Sequence, residues 1–171
     1  MDLSCFNDPS YNIDAFLDSI ERLSEGSDMF SSIDLPSTLL YVGLPKIQSV
    51  PRHLRIEKLA RIFNWLKRRN VESILKIQIP DLEYEPYRED DIEKCLTKFK
   101  EIEELNWVKL DMSLEVLGDS EGKIHGVRKI WLYSANWGMI NYWTGLEGVV
   151  NYSQVSPCTS PIHLFLIDAN I

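Results

Sequence analysis

The sequence has little of the chemistry from which most catalytic and metal sites are built. Its 171 residues include three histidines and three cysteines, and none of them stands in a zinc-site spacing such as HExxH or CxxC. Cys5, Cys95 and Cys158 are widely separated and odd in number, which favours reduced thiols over a disulfide framework. We therefore expect neither a bound metal nor a disulfide.

Phosphate-binding and nucleophile motifs are also missing. The chain has no GxGxxG and no GxxxxGK[ST] segment, which would cradle the phosphates of a nucleotide. It also lacks GxSxG, GHGT and GTSxA, segments that would carry the serine or histidine of a hydrolase triad. These absences predict a protein without a cofactor and without catalytic activity. One enzymatic alternative stays open, a small hydrolase or metal-dependent enzyme that uses Asp81, Glu83 and either His125 or His163.

No stretch of the sequence is suited to a membrane span or a secretory signal. The first residues lack a basic region followed by an unbroken apolar run, and the longest apolar runs are far shorter than the ~20 residues that span a bilayer. The net charge of −8 and the pI near 4.9 disfavour binding to nucleic acid or to an anionic membrane. The sequence thus predicts a cytoplasmic protein with a protein partner.

The one strongly basic segment, residues 52–69, overlaps the strongest amphipathic helix pattern of the sequence, residues 53–70. Seven of its side chains are basic and one is acidic. Its apolar stripe at helical spacing consists of Ile56, Leu59, Ile62, Phe63 and Leu66. The basic residues predicted to face away from that stripe are Arg55, Lys58, Arg61 and Lys67. We favour a helix that docks on an acidic sheet or meets an acidic partner surface over a site for nucleic acid or acidic lipid, because the polar face has no interleaved aromatics.

Other periodic segments predict three further helices and a strand. The helices are expected within residues 13–23, within residues 89–99 and, weakened by glycines, within residues 136–153. A β-branched and aromatic run at residues 38–44 predicts the strand.

Four apolar runs share one spacing and predict a repeated strand. In each run the positions follow one another at offsets of three, two and three residues, and the runs begin at Ile74, Ile102, Val127 and Ile162. This spacing is similar to the LxxLxLxxN frame of leucine-rich repeats, although three of the four runs lack the asparagine. Such strands, separated by helices, bury their faces best as parallel β-α-β units. We predict an α/β fold with a small parallel sheet that contains all four strands side by side.

This fold fits one domain with an N-terminal extension. Residues 37–171 are assigned to the α/β domain, and the Ser- and Asp-rich residues 1–36 to a partly flexible helix and linker. The run that begins at Ile162 leads into IDANI, which lies inside a predicted strand. We expect a truncated unit whose last strand is exposed at the edge of the sheet.

The segment VRKIWLYSANWG, residues 127–138, contains two aromatic side chains with two possible placements. Trp131 and Tyr133 alternate with Leu132 and therefore point to the opposite face of their strand. If helices cover that face, the two aromatics belong to the core, which is the interpretation we favour. If it is bare, they form an exposed platform. Trp107 takes the position of Leu132 in its own run and does not join them.

Three longer blocks resemble a known protein region. The first is HLRIEKLARIFNWLKRRNVESILKIQI, in which a helix reaches an apolar strand through a W-L-x-x-x-x-V turn. The second, DDIEKCLTKFKEIEELNWVKLDMSLEVL, is similar to a D-x-A-I-x-x-x-L-x-x-F-x-V-E-x-L-D-W-x-K-x-D frame. The third, VRKIWLYSANWGMINYWTGLEGV, is similar to an R-x-L-x-L-Y-S-x-G-N-x-A-V-L-x-x-W-x-x-x-E-G-L frame. With these blocks, residues 53–153 resemble a non-catalytic region upstream of subtilisin-like peptidase domains in large multidomain fungal proteins.

Single residues at which the chain agrees with these frames have structural interpretations. Trp107 and Trp143 are expected in the core, where each can bury on the order of 150–250 Å². Asp111 is expected to cap the short segment that follows it. Asn136 suits a turn with positive φ.

Because the peptidase domain itself is absent, the resemblance implies a fungal, intracellular accessory module and no catalytic residue. We predict a non-enzymatic protein-interaction or regulatory module, and as an alternative an accessory part of a subtilisin-like serine peptidase system. The predicted contact surface joins the end of one strand to the loop after another. Its residues are Tyr133, Asn136, Trp137, Tyr87, Glu85 and Arg88.

Overall fold

Helices and strands alternate along most of the chain. The computed structural model describes residues 1–3, 13–22, 35–48, 50–82, 84–113, 124, 126–135, 137–144, 155–157 and 163–168. In chain order the elements are α1 Ile13–Arg22, β1 Thr38–Gly43, α2 Arg52–Arg68, β2 Ser73–Pro80, α3 Glu89–Leu96, β3 Glu101–Leu110, β4 Lys129–Ser134, α4 Trp137–Thr144, β5 Val155–Pro157 and β6 His163–Asp168. The predicted helices and the strand at residues 38–44 are confirmed. Across the described residues, every helix is too short or too polar to cross a membrane.

The strands form one sheet in the order β1-β2-β3-β4-β6-β5. Strands β1 to β4 are parallel neighbours, with α2 between β1 and β2 and α3 between β2 and β3. The register pairs Ile77 with Leu105 and Leu105 with Ile130, so equivalent positions of the predicted runs lie side by side. The predicted α/β class with a parallel sheet is confirmed. A shift of one strand by one residue would turn its apolar side chains to the other face of the sheet. The register therefore aligns the positions that share the spacing.

The last predicted strand joins the sheet in the opposite direction. Strand β6 is antiparallel to β4, and β5 is antiparallel to β6, so β5 has the direction of β4. The connection after β4 therefore leads to a parallel strand at β5, and the chain then turns back to place β6 between β4 and β5. The prediction of a parallel strand at the sheet edge is wrong for β6. The strand at this edge of the sheet is β5, which tolerates Pro157 because an edge position needs fewer backbone donors.

The hydrophobic core lies between the sheet and helices α2 and α3. The stripe of α2 is buried at Leu59, Ile62, Phe63 and Leu66. The stripe of α3 and the turn after it is buried at Ile92, Cys95, Leu96 and Phe99. Trp107 and Trp143 are 0% and 2% exposed, so both predicted core positions are confirmed. The indole Nε1 of Trp143 donates a hydrogen bond to the carbonyl oxygen of Met112 at 2.9 Å, which ties α4 to the end of β3.

The polar face of α2 meets the acidic helix α1. Lys58 lies 2.6 Å from a carboxylate oxygen of Asp14, and Arg61 lies 2.9 Å from one of Asp18. Both acidic side chains are more than half exposed, so each pair stabilises the packing by no more than about 1 kcal/mol. The acidic surface that meets α2 is thus a helix of the same chain, and not the sheet or the partner surface that the sequence predicted.

Arg55 departs from the expectation that it faces away from the core. It is fully buried, and its guanidinium lies 5.3 Å from the ring centroid of Tyr87. Its Nη2 donates hydrogen bonds to the carbonyl oxygen of Glu85 and, at 3.1 Å, to Oε2 of the same residue. Its Nε and Nη1 are buried and find no acceptor among the described residues. The flat guanidinium packs on the aromatic ring much as an apolar side chain does.

Arg55→Met is expected to leave the free energy of unfolding unchanged or to raise it. Methionine fills a similar volume and removes two buried donors that lack acceptors. Arg55→Ala leaves a cavity instead and is expected to lower the free energy of unfolding by about 2–4 kcal/mol. Urea denaturation followed by circular dichroism measures both. Equal losses for the two variants would show that the charge, and not the packing, stabilises this position.

Candidate functional site

The face of the parallel sheet opposite α2 and α3 carries polar and aromatic side chains, and we call it the open face. Its residues are Tyr41, Lys76, Gln78, Glu104, Asn106, Lys129, Trp131 and Tyr133, all partly exposed. None of them belongs to the hydrophobic core. The favoured assignment of Trp131 and Tyr133 to the core is therefore wrong, and because both side chains are partly buried, the alternative of an exposed platform describes them only in part. The strand alternation was right, but α2 and α3 both pack against the opposite side of the sheet.

Charged side chains surround Trp131 on the open face. The register places Lys76, Glu104 and Lys129 side by side on β2, β3 and β4. The two ammonium groups lie 3.8 Å and 3.9 Å from Glu104, longer than the ~2.7–2.9 Å of a charge-assisted hydrogen bond. They also lie 5.1 Å and 4.9 Å from the ring centroid of Trp131, within the range of a cation–π contact. Two cations thus share one carboxylate loosely, and the local charge is positive.

On the rest of the open face, two tyrosine hydroxyls form hydrogen bonds with side-chain amides. The hydroxyl of Tyr133 donates to Oδ1 of Asn106 at 2.9 Å, and the hydroxyl of Tyr41 donates to Oε1 of Gln78 at 3.1 Å. Burial raises the pKa of Tyr133. Burial and, secondarily, the charge of Asp2 raise the pKa of Tyr41. Both phenols therefore remain donors at neutral pH and fix the amides beside them.

Asp81 follows β2 directly and ties three chain segments together. It is 7% exposed. Its Oδ1 accepts hydrogen bonds from the backbone N–H groups of Leu82 at 2.8 Å and Tyr87 at 3.0 Å, and its Oδ2 accepts one from Nε1 of Trp107 at 2.9 Å. Burial raises the pKa of Asp81, while these donors and the charge of Lys109 act in the opposite direction. The carboxylate anchors the loop after β2 to the middle of β3.

A cavity of about 310 Å³ lies at the carboxyl ends of the parallel strands. It is lined by Lys46, Asp81, Leu82, Pro86, Val108, Lys109, Leu110 and Tyr133. These residues follow β1 and β2 or lie at the ends of β3 and β4. Parallel α/β sheets bind ligands at this edge, and the volume is at the lower end of the ~300–1,000 Å³ of small-molecule sites.

Part of the predicted contact surface lies at this edge. Tyr133 belongs to the open face and also lines the cavity. Glu85 and Arg88 are exposed in the loop that leads to α3, and Arg88 precedes the first residue of that helix. The structure thus brings the end of β4 close to the loop after β2, and a contact with a partner at this edge stays a prediction.

For the other predicted contact residues, the described part of the structure shows no side chain on this surface. Tyr87 is 2% exposed and packs on Arg55, so its side chain is part of the core. Burial raises its pKa well above the ordinary range of a phenol. Trp137 begins α4, but its side chain and all of Asn136 lie outside the described residues.

Asp111 joins the ends of two strands, while most of the segment that it is predicted to cap lies outside the described residues. Its Oδ1 accepts a hydrogen bond from the hydroxyl of Ser134 at 2.7 Å and a longer one from the backbone N–H of Ala135 at 3.3 Å. Its φ of 54° turns the chain away from β3. The positive φ is tolerated because a short Asp side chain hydrogen-bonds locally.

Residues of the enzymatic alternative are only partly described. Glu83 and His125 lie outside the described residues, and His163 is paired with Ser134 across β6 and β4. Within the ranges given above, no group of three or more His, Cys, Asp or Glu side chains is placed to hold a metal ion. Asp81 accepts three N–H donors, an arrangement that suits a structural carboxylate.

The sequence interpretation missed the charged row of the open face. Lys76, Glu104 and Lys129 each stand two residues after the first position of an apolar run. The repeated spacing therefore contained the signal, since equivalent positions of parallel strands are neighbours.

Comparison with known proteins adds no family to these observations. Neither a protein-family model, nor a curated protein, nor a solved structure matches the chain. The resemblance to the region upstream of subtilisin-like peptidases stays a prediction, and the geometry of the open face and the cavity is the basis for inferring function.

Proposed function

We propose that the chain is a non-enzymatic protein-interaction module that binds an acidic segment of a partner protein on the open face. The observation that supports this most directly is the placement of Trp131 between two lysines that lack a close carboxylate. A partner carboxylate would give each ammonium group the short ion pair that Glu104 does not provide. The partner would also cover the indole ring.

The chemistry of the open face fits that of a binding surface. Tryptophan is the residue most enriched among those that dominate binding energy at interfaces, and Trp131 offers a large apolar surface framed by polar groups. The hydrogen-bonded side chains of Tyr133 and Asn106 are already fixed, so little side-chain entropy is lost when a partner binds.

The net negative charge of the chain repels an acidic partner segment only weakly. The net charge is −8, but at physiological salt exposed charges are screened beyond ~8 Å. Lys76 and Lys129 flank the indole within that distance and determine the potential that an approaching segment experiences. Binding is accordingly expected to weaken as the salt concentration rises.

Selection from a random peptide library displayed on phage tests this function. Immobilised wild-type protein is the target, and the Trp131→Ala variant is the counter-target. We expect the enriched peptides to be rich in Asp and Glu and to lose roughly tenfold or more in affinity on Trp131→Ala. Lys76→Glu combined with Lys129→Glu should abolish binding, because like charges then face the peptide.

The matched control is Tyr84→Ala, which removes an aromatic side chain that is 95% exposed outside the open face and should leave peptide affinity unchanged. Failure to enrich any peptide, peptides without an acidic excess, or peptides that bind wild type and Trp131→Ala equally would each refute the proposal. Sedimentation equilibrium tests whether a second copy of the chain, instead of a partner protein, binds to the open face. A wild-type dimer that Trp131→Ala dissociates would assign the open face to a second copy of the chain instead.

A further inference from the structure

We propose a second binding function for this chain: the cavity at the carboxyl ends of the parallel strands binds a small organic anion. The carboxylate of the ligand would pair with Lys109, and its apolar body would contact Leu82 and Val108. This site goes beyond the protein-binding function of the open face and does not depend on it, although Tyr133 borders both.

The strongest argument is the state of the Lys109 side chain. It is only 13% exposed, and its nearest carboxylate, that of Glu89, lies 3.8 Å away. Among the described residues no acceptor lies within hydrogen-bond distance of its Nζ. An ammonium group carries three donors, and the Glu89 carboxylate at 3.8 Å is farther from Nζ than the ~2.7–2.9 Å of a charge-assisted hydrogen bond. The side chain lines the cavity, so an anion bound there would supply the missing acceptor.

The neighbouring carboxylates are already occupied by other donors. Asp81 accepts hydrogen bonds from two backbone N–H groups and from the indole of Trp107. Glu89 accepts one from the backbone N–H of Ser113 at 3.0 Å. These hydrogen bonds hold both carboxylates in place, so an anion that enters the cavity can approach the ammonium group of Lys109 more closely than Glu89 does.

The shape and the remaining lining define the rest of the ligand. Apart from its charged groups the cavity is lined by aliphatic side chains, a proline and the ring of Tyr133. Its volume of about 310 Å³ admits a single aromatic ring or a short branched chain and is too small for most nucleotides. The chemical class that fits is a monocarboxylate with a compact apolar body.

The loop that forms one wall of the cavity is fixed from two sides. Asp81 holds its beginning and its end through Leu82 and Tyr87. Arg55 holds its middle through the carbonyl oxygen of Glu85. A wall held in this way is preformed, which lowers the entropy cost of binding a small ligand.

Titration of the wild-type protein with phenylacetate, followed by amide chemical shifts and by calorimetry, tests the site. The neutral 2-phenylethanol and the cationic 2-phenylethylamine are controls of similar shape. We expect phenylacetate to bind with a Kd below about 1 mM, with shifts centred on the cavity residues, and at least roughly tenfold tighter than either control. No saturable binding, shifts scattered over the surface, or equal binding of the neutral control would overturn the proposal.

Two variants of Lys109 separate charge from packing. Lys109→Met keeps most of the side-chain volume and should weaken phenylacetate binding roughly tenfold or more, whereas Lys109→Arg keeps the cation and should retain most of it. Circular dichroism checks the fold of each variant, and the comparison of the three ligands on wild type decides the matter if Lys109→Met does not fold. Unchanged phenylacetate affinity in folded Lys109→Met would refute the assignment.

The experiments distinguish a cavity that binds no organic anion from an open face that binds no acidic peptide. Trp131→Ala should leave phenylacetate binding intact, and Lys109→Met should leave the selected acidic peptides bound. Loss of both ligands in either variant would contradict two separate sites and would overturn this inference.

Discussion

Trp107→Ala is expected to lower the free energy of unfolding by about 3–5 kcal/mol. The side chain is fully buried in β3, the strand between β2 and β4. Its removal leaves a cavity between sheet and helices and also takes one hydrogen-bond donor from the buried carboxylate of Asp81. Urea denaturation followed by circular dichroism measures the loss.

Two variants control this prediction. Trp107→Phe retains most of the ring and loses the Nε1–H donor, so its smaller loss isolates the hydrogen bond at about 1–3 kcal/mol. Trp131→Ala removes the same kind of side chain from the open face and should cost much less, since that position lies outside the core. Equal losses at positions 107 and 131 would contradict the assignment of the two faces.

Asp81→Ala is expected to lower the free energy of unfolding by about 3 kcal/mol or more. The change leaves the N–H groups of Leu82, Tyr87 and Trp107 without their acceptor, and a buried donor left unpaired costs about 1–3 kcal/mol. Asp81→Asn keeps one acceptor oxygen and should cost less. Asp90→Ala, which removes an exposed carboxylate of α3, is the control and should be nearly neutral. A neutral Asp81→Ala would refute the anchoring role.

The pH dependence of the same variants has a definite sign. Burial raises the pKa of Asp81 in the folded protein above its ordinary value, so the folded state takes up a proton before the unfolded state does as pH falls. The stability that this proton contributes is fully present below the unfolded pKa and is lost as pH rises through the folded pKa. The stability difference between wild type and Asp81→Asn should therefore be larger at acidic pH than at neutral pH. A smaller difference at acidic pH would mean that hydrogen bonding outweighs burial.

The residue pattern predicted the parallel part of the fold because side-chain burial and register are coupled. Equivalent apolar positions such as Ile77, Leu105 and Ile130 were recognised by spacing alone and are paired neighbours. The helix stripes followed from 3.6-residue periodicity in the same way. Both patterns are local and repeated, so each prediction rested on several positions and not on a single residue.

Strand direction could not be predicted from the same pattern. The apolar spacing of β6 fits a strand that runs either way, and a three-residue strand such as β5 has no periodicity to detect. Arg55 was misplaced for a related reason. Its burial depends on the ring of Tyr87, which is distant in the sequence and contacts it only after the loop following β2 has folded.

The candidate sites depend on features that local sequence patterns do not predict well. Whether Trp131 is covered depends on the side of the sheet to which α2 and α3 return, and alternation along β4 does not contain that information. The cavity joins residues from Lys46 to Tyr133, and its outline depends on loop conformation. Tyr133 and the loop near Glu85 do lie at the same edge of the sheet, because both follow the carboxyl ends of parallel strands, and their contact with a partner stays a prediction.

The strand order has a consequence for synthesis on the ribosome. Strands β1 to β4 are added in the order in which they are translated, so each can pair with a neighbour that has already emerged. Strand β6 lies between β4 and β5, and the second hydrogen-bonding side of β4 therefore stays unpaired until residues 163–168 leave the exit tunnel. During that interval the nascent chain presents an unpaired strand to other chains, and a chaperone that covers β4 would be most useful then.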